Sequence, residues 1–295
     1  MNNDRIWVDN DLKILNAKKH ITNAPLICLD TEYDSFRYFR EKLCLIQIKA
    51  QERIYLIDPL EDLNMDCLGD VFANFGIVKI MHAGDNDIRI LKRDYGFEFS
   101  NIFDTQRAAS ILGSQYLSLS AVIHQYLGIE FTKKKKLQRS QWGKRPLSEE
   151  QLQYAVQDTM FLEPLYKILR QEIHRKGRHS DLQKIFNEMT EVTWHEKPLD
   201  CKSFRKIRKN GCLSASQLQC LKELYEWRYG KAKELNRAIF MILSDQDLLN
   251  ICKNNPCTLE DLTAKGKLPP HKIKDYGSEI VAIINRDRSA CSFED

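Results

Sequence analysis

No apolar run in this chain reaches the length needed to cross a membrane. The first residues, from Met1 to Trp7, carry amide and acidic side chains where a signal peptide would have an apolar stretch. Cysteine is present at nine positions, an odd number, and no two are spaced as C-x-x-C. That pattern excludes a zinc ribbon and a dithiol redox pair, and it offers no disulfide framework. Cys28, Cys44 and Cys252 sit in apolar runs and read as small core residues. A reducing compartment suits such usage, so the expectation is a soluble cytoplasmic protein with no membrane partner. Internal repeats are absent, and the one biased segment is the lysine run Lys133–Lys136. The chain also lacks a strong charge of either sign. Its formal net charge of +4 is too mild to name a partner.

What charge there is lies unevenly. Residues 201–295 hold 17 Lys/Arg against 12 Asp/Glu, which leaves 28 against 29 for residues 1–200. A near-neutral body with a basic tail is compatible with nucleic-acid binding. The length of 295 residues suits one large domain or two medium ones.

The chain is organised around Leu26-Ile27-Cys28-Leu29-Asp30-Thr31-Glu32. Four apolar residues after Pro25 read as a buried strand that runs into two carboxylates. Side chains alternate across a strand, so Asp30 and Glu32 point to one side. Two carboxylates at the edge of a buried strand repel each other and are costly to desolvate. A divalent cation between them removes both problems, and Mg2+ takes such oxygen ligands. D-x-E pairs are also common on solvated surfaces. The apolar approach sets this pair apart.

Around that strand, residues 9–20 read as a short amphipathic helix, and Tyr33 to Lys42 as a polar loop rich in aromatic and basic residues. Leu43–Ile48 and Arg53–Asp58 read as strands in an antiparallel meander with the first. A helix over about 62–75 precedes a fourth strand, Ile77–Met81. The next helix stops at Gly96. Ile102-Phe103-Asp104 is a fifth short strand, and helices fill 105–112 and 117–127. Meander strands followed by alternating β and α predict an α/β mixed sheet with helices on its faces. A basic connection, Lys133 to Arg145, ends at Pro146. Ser148-Glu149-Glu150-Gln151 then fits a capping box, opening a helix expected to reach Leu169, with another over 180–190. Residues 196–210 read as a linker. Beyond it the chain reads as a small all-α domain over 211–290.

Two more carboxylate groups fall in this frame. In His82-Ala83-Gly84-Asp85-Asn86-Asp87, Asp85 sits where a helix cap would, and Asp87 in the first turn can project over the sheet edge where α/β ligands bind. On the capped helix, Tyr154 and Asp158 lie one turn apart on one face.

These motifs together resemble the DEDD 3′-5′ exonucleases of the tyrosine subclass. Asp30-Thr31-Glu32, His82-x4-Asp87 and Tyr154-x3-Asp158 match their three motifs in order. Phe103-Asp104-Thr105-Gln106 and the segment Trp142-Gly143-Lys144-Arg145-Pro146-Leu147-Ser148 narrow the resemblance to the ribonuclease D family. Leu243–Leu248, Asn255–Leu262 and Tyr276-Gly277 resemble the helical HRDC module. The resemblance covers roughly residues 5–290. It implies a ribonuclease H-like mixed-sheet exonuclease domain over 1–195, followed by one HRDC-like nucleic-acid-binding domain.

It further implies that Asp30, Glu32, Asp87 and Asp158 hold two Mg2+ or Mn2+ ions, with Asp30 bridging and Asp87 acting through water. With a reference pKa of about 10, Tyr154 is a poor base, and its expected role is to orient the attacking water. Glu32 and the Thr31 backbone are expected to read the terminal 3′-hydroxyl. The implied activity is a 3′-5′ exoribonuclease releasing 5′-mononucleotides, with RNA, in particular tRNA-precursor 3′ ends, as substrate. A DNA exonuclease, and a non-catalytic RNA- or partner-binding protein on the same scaffold, are the alternatives. The intact carboxylate set argues against the last. The tail domain is expected to hold RNA, a protein partner being the rival use.

Several neighbours carry two readings. His82 is either a phosphate or sugar contact or a structural histidine. Trp142 and Arg145 either contact RNA by stacking and phosphate pairing or dock the basic connection. Asp104 is a helix cap or a support for the site. Lys133–Lys136 either guides the RNA backbone or is solvated. Tyr33 and Phe36 either stack on terminal bases or pack their loop.

Overall fold

The computed structural model describes residues 4–130, 135–196, 198–207 and 213–291. Lys133 and Lys134 of the lysine run lie outside the described residues, as do residues 208–212, which span the end of the expected linker and the start of the expected helical domain. By its contacts the chain forms two compact units, Met1–Asp34 with Glu41–His195, and Ser35–Arg40 with Glu196–Asp295.

The first unit is built on six strands: β1 (Asp4–Val8), β2 (Leu26–Asp34), β3 (Lys42–Ala50), β4 (Arg53–Ile57), β5 (Val78–Met81) and β6 (Ile102–Asp104). Their order in the sheet is β1-β4-β3-β2-β5-β6. As the sequence predicts, β2, β3 and β4 form an antiparallel meander. β5 pairs parallel with β2, and β6 with β5. The sheet is therefore mixed, with β2, the carrier of Asp30 and Glu32, in its interior.

β1 has no counterpart in the sequence reading. It lies parallel to β4 at the sheet edge, and among its residues from Arg5 on Val8 alone is fully buried. Its side chains therefore show neither alternation nor a continuous apolar run. β2 also runs two residues past Glu32, so the expected loop starts later, after Asp34.

The helices follow local chemistry. α1 (Asp11–Thr22) starts at Asn10, whose side chain accepts from the Lys13 N–H. α2 (Asp66–Ala73) precedes β5. α3 (Asp85–Tyr95) buries Ile88, Ile90 and Leu91 and ends at Gly96, which takes a left-handed conformation (φ 67°) open to glycine. α4 (Thr105–Ile111), α5 (Leu119–Leu127) and the single turn α6 (Lys135–Gln138) follow. α7 (Glu149–Met160) opens on the capping box expected at Ser148 and Gln151. It does not reach Leu169. A separate helix, α8 (Leu162–Arg175), begins after Phe161. The cause is Pro164, which lacks an N–H and whose ring would clash with the carbonyl of Met160 in a continuous helix. α9 (His179–Thr190) completes this unit.

The second unit is helical: α10 (Phe204–Ile207), α11 (Ala215–Glu234), α12 (Ile239–Ile242), α13 (Asp245–Asn254), α14 (Leu259–Lys265) and α15 (Pro270–Cys291). Leu221, Leu224, Leu248, Ile251, Ile280 and Ile284 form its core. Capping boxes at Ser214 and Ser244 open α11 and α13. Phe204 and Ile207 are buried in this same core, so the stretch expected as linker, 196–210, is partly folded into the helical unit. Polarity around Lys202, Arg205 and Lys206 hid that anchor.

Ser35–Arg40 also belongs here, although it lies between β2 and β3 in sequence. The Ala238 N–H donates to the Arg37 carbonyl at 2.9 Å, and the Arg40 N–H to Asn236 Oδ1 at 2.9 Å. Phe39 meets Tyr229 edge-on at 5.1 Å, and Phe36 lies 5.0 Å from Phe240. No single cut in the sequence therefore separates the two units.

Candidate active site

The site begins with β2. Beside its apolar half, Asp30 and Glu32 share one face, as the period of a strand demands. α7 packs across β2 and β3 and brings Asp158 to them. One carboxylate oxygen from each of Asp30, Glu32 and Asp158 lies within 4.8 Å of the others. Glu32 and Asp158 are buried. Three like charges this close in a partly dry site are costly to hold without a counter-charge. Their donors are hard oxygens, the set that suits Mg2+ or Mn2+. The residues present therefore fit the divalent ions that the resemblance implies.

Tyr154, one turn before Asp158 on α7, is buried, and its hydroxyl is hydrogen-bonded to Asp158. Burial first, and then the charges of Asp158, Glu32 and Asp30, raise its pKa far above that of an ordinary phenol. It stays protonated at neutral pH.

Asp87 stands outside the group of three. It is buried in the first turn of α3 and accepts a hydrogen bond from the Thr31 hydroxyl. Burial raises its pKa, and the Thr31 contact works against that rise. The Thr31 side chain is thereby committed to Asp87; the contact expected of Thr31 at the substrate is one of its backbone. Its location on β2 next to Asp30 did not disclose this cross-link.

Asp104 holds the same region from behind. It is fully buried, caps α4 by accepting from the Arg107 N–H at 2.8 Å, and accepts from the Gly84 N–H at 2.9 Å. It thus pins the start of α3, the helix that presents Asp87. Of the two readings open for Asp104, cap and support, it fulfils both. Burial pushes its pKa up to about 6. Asp85 is not the cap of α3. It is the first helical residue, after Gly84, and pairs with Arg107 at 2.9 Å.

The remaining expected RNA contacts are turned inward. Trp142 is fully buried against Cys44, Leu45, Ile54, Leu56 and Tyr154, so it offers no face to a base. Its ring lies 5.9 Å from that of Tyr154, which makes it a wall behind the tyrosine. Arg145 spends its guanidinium on the fold. It grips buried Asp58 through Nε (2.5 Å) and Nη2 (2.6 Å) and also donates to the carbonyls of Trp142, Lys144 and Cys44. It docks the basic connection onto the sheet and has no fork left for a phosphate. His82 uses both ring nitrogens, Nε2 donating to the Leu117 carbonyl at 3.0 Å and Nδ1 meeting Thr105 Oγ1 at 2.9 Å. It ties β5 to the start of α4 and to the α4–α5 loop. An aromatic or basic residue in a polar stretch looks the same in sequence whether it faces solvent or core. Tyr33 accepts from Asn86 Nδ2 at 3.1 Å and packs partly against the main core.

One further residue escaped the sequence reading. Gln47, in the middle of apolar β3, is fully buried, and neither its Oε1 nor its Nε2 has a partner. A lone carboxamide inside such a strand was the available signal.

Comparisons with known proteins agree with this geometry. The 3′-5′ exonuclease family profile matches residues 6–174, and the HRDC domain profile matches residues 217–284. Ribonuclease D of Desulfotalea psychrophila is 31% identical over 278 residues, covering 92% of this chain and 74% of that protein. Exosome complex component 10 of Mus musculus is 29% identical over 289 residues, 95% of this chain but 32% of that longer protein. The crystal structure of the catalytic core of RRP6 from Trypanosoma brucei superimposes with a TM-score of 0.88 at 24% identity, over 98% of this chain and 81% of that one. Escherichia coli RNase D, an exoribonuclease, gives a TM-score of 0.69 at 25% identity, over 97% and 75%. With the motifs in order, the carboxylates gathered and both profiles matched, the chain belongs to the ribonuclease D family of 3′-5′ exoribonucleases and carries a C-terminal HRDC domain.

Proposed function

We propose that this exoribonuclease removes 5′-mononucleotides from RNA 3′ ends by metal-assisted hydrolysis, with tRNA precursors as substrates. The observation that carries the reading is the carboxylate group of Asp30, Glu32 and Asp158, gathered within 4.8 Å beside Tyr154. When bound, two Mg2+ or Mn2+ ions supply a water acidic enough to attack at neutral pH and neutralise the departing 3′-oxygen.

The chain's own residues do the rest. Asp30, Glu32 and Asp158 would hold the ions, and Asp87, steadied by Thr31, would support them from outside that group. Tyr154 gives its proton to the hydrogen bond with Asp158 and stays neutral, so its oxygen offers lone pairs to an O–H of the attacking water. It orients that water and does not deprotonate it. Trp142 and α7 keep the phenol in place. Glu32 and the Thr31 backbone receive the terminal 3′-hydroxyl in this reading, as the resemblance implies.

The proposal is tested with three 5′-labelled substrates of equal length: a tRNA precursor with an extended 3′ end, an unstructured RNA and its DNA counterpart. Trimming of the precursor to a discrete shortened end, at a rate well above that on DNA, is the expected result. Equal rates on RNA and DNA remove the sugar preference, and complete degradation of the precursor removes tRNA maturation.

A further inference from the structure

From Leu43 to Ile48 β3 is apolar except at Gln47, where a carboxamide is fully buried with both polar atoms unpartnered. An amide left so is expensive, because desolvation is suffered and no hydrogen bond replaces the lost water. In the β2–β3 ladder Gln47 stands directly opposite Asp30. Opposed residues of an antiparallel pair share a face, with Cβ atoms about 4.5–5.5 Å apart. The carboxamide is therefore on the face that carries Asp30 and Glu32, the face that α7 covers.

Its other neighbours on that face within the sheet give it nothing to accept its N–H. Across β4 it meets Leu56. Along β3 the same-face residues are Leu45 and Lys49, and the Lys49 ammonium donates to Glu163 at 2.9 Å. Among these four neighbours Asp30 alone is a carboxylate. A carboxylate that binds metal needs a donor on its remaining lone pairs to fix its orientation.

We propose that Gln47 is a positioning residue for the metal site, its Nε2–H donating to the Asp30 carboxylate when the cluster is loaded. This inference rests on the metal reading of the cluster. The amide fixes which Asp30 oxygen faces the ions.

The test uses the full chain with Gln47→Met, which keeps the length of the side chain and removes both polar atoms. Mn2+ binding is measured by calorimetry and by the Mn2+-induced rise in Tm, both without RNA, beside wild type and Asp30→Asn. The variant should show a metal-free Tm equal to or above wild type, since an orphaned amide is gone. Its Mn2+ affinity should be about 10–100-fold weaker, the usual loss when an outer partner of a ligand is removed. Half-saturating Mn2+ for hydrolysis should rise by the same factor, while kcat at saturating metal and the KM for RNA stay near wild type. A lowered metal-free Tm with Mn2+ affinity unchanged overturns the proposal and makes Gln47 a packing residue. If Gln47→Met does not fold, Gln47→Leu replaces it, and failure of both to fold without metal overturns the proposal as well. Wild type without Mn2+ affinity removes the metal reading itself. Tight binding by both wild type and variant removes only the role of Gln47.

Discussion

Tyr154 illustrates how a residue's environment decides its chemistry. A phenol wedged between three carboxylates and a buried indole cannot act as a base, because ionising it adds a fourth negative charge to a desolvated group. In the proposed mechanism its contribution is confined to orienting water as the transition state forms. Tyr154→Phe should therefore lower kcat by about 100–1,000-fold, the range for losing one directed hydrogen bond at a reacting centre. KM for RNA should change far less. Single-turnover rates and RNA binding check this, and an unchanged kcat would leave Tyr154 as packing.

Arg145 carries the opposite lesson. It anchors the chain before α7 to Asp58, which is 1% exposed. Arg145→Ala leaves that carboxylate buried and unpaired, so stability should fall by about 3–5 kcal/mol. Asp58→Ala on the same background should recover part of the loss. Denaturant melts of the three variants decide. A stable Arg145→Ala enzyme with impaired RNA binding would return Arg145 to the substrate. Asp30, Glu32, Tyr154 and Asp158 were legible in sequence because each pair lies within one strand or one helical turn, where spacing fixes the face. The tie of Thr31 to Asp87 was not, and for Trp142, Arg145 and His82 a substrate role and a structural one stood side by side, because the side chains that decide between them lie 23 or more residues away or, for Trp142, on the sheet.

At the scale of elements, the site hangs on how two helix starts are held. Asp104, closing β6, caps α4 and pins the first turn of α3. Its pKa is about 6 in the fold, raised from 3.8 by burial. A folded-state pKa above the unfolded one means that the folded state binds the proton more tightly. The stabilisation from that proton is complete below about pH 3.8 and is lost as pH rises through about 6. It amounts to about 3 kcal/mol. In Asp104→Asn this part of the pH dependence should vanish, so the difference in metal-free stability between variant and wild type should change between pH 4 and pH 7. Chemical melts across that range show it, and parallel curves would contradict the assignment. The meander, the stop at Gly96 and the capping box before α7 were readable from sequence, since each is set by local periodicity or one cap. β1 and the break between α7 and α8 were not. An edge strand in which, from Arg5 on, Val8 alone is fully buried has no pattern, and Pro164 sat inside an otherwise helical run.

For the whole molecule, the two units are not two consecutive pieces of chain. Ser35–Arg40, which follows Glu32 by a few residues, belongs to the helical unit. The sequence offered composition for the boundary, and composition does not reveal which core takes Phe39, Phe204 or Ile207. The basic balance of residues 201–295 gives the helical unit its expected role toward RNA. Lys253, Lys267 and Lys274 are exposed there. Replacing all three by Gln should weaken binding of a long structured RNA most at low salt. The salt dependence should flatten by about one logarithmic unit of slope for each phosphate no longer neutralised. Turnover of a short oligomer should stay the same. Unchanged affinity for the long RNA would direct this surface to a protein partner.

The most direct test of the account is a time course on a 3′-labelled RNA, with wild type and Asp30→Asn, in Mg2+ and in EDTA. The first labelled product of wild type in Mg2+ should be a 5′-mononucleotide, its release should stop in EDTA and resume when Mg2+ is restored, and Asp30→Asn should be inert in both while remaining folded. Labelled fragments longer than one nucleotide, mononucleotide release that survives EDTA, or near-normal turnover by Asp30→Asn would contradict it.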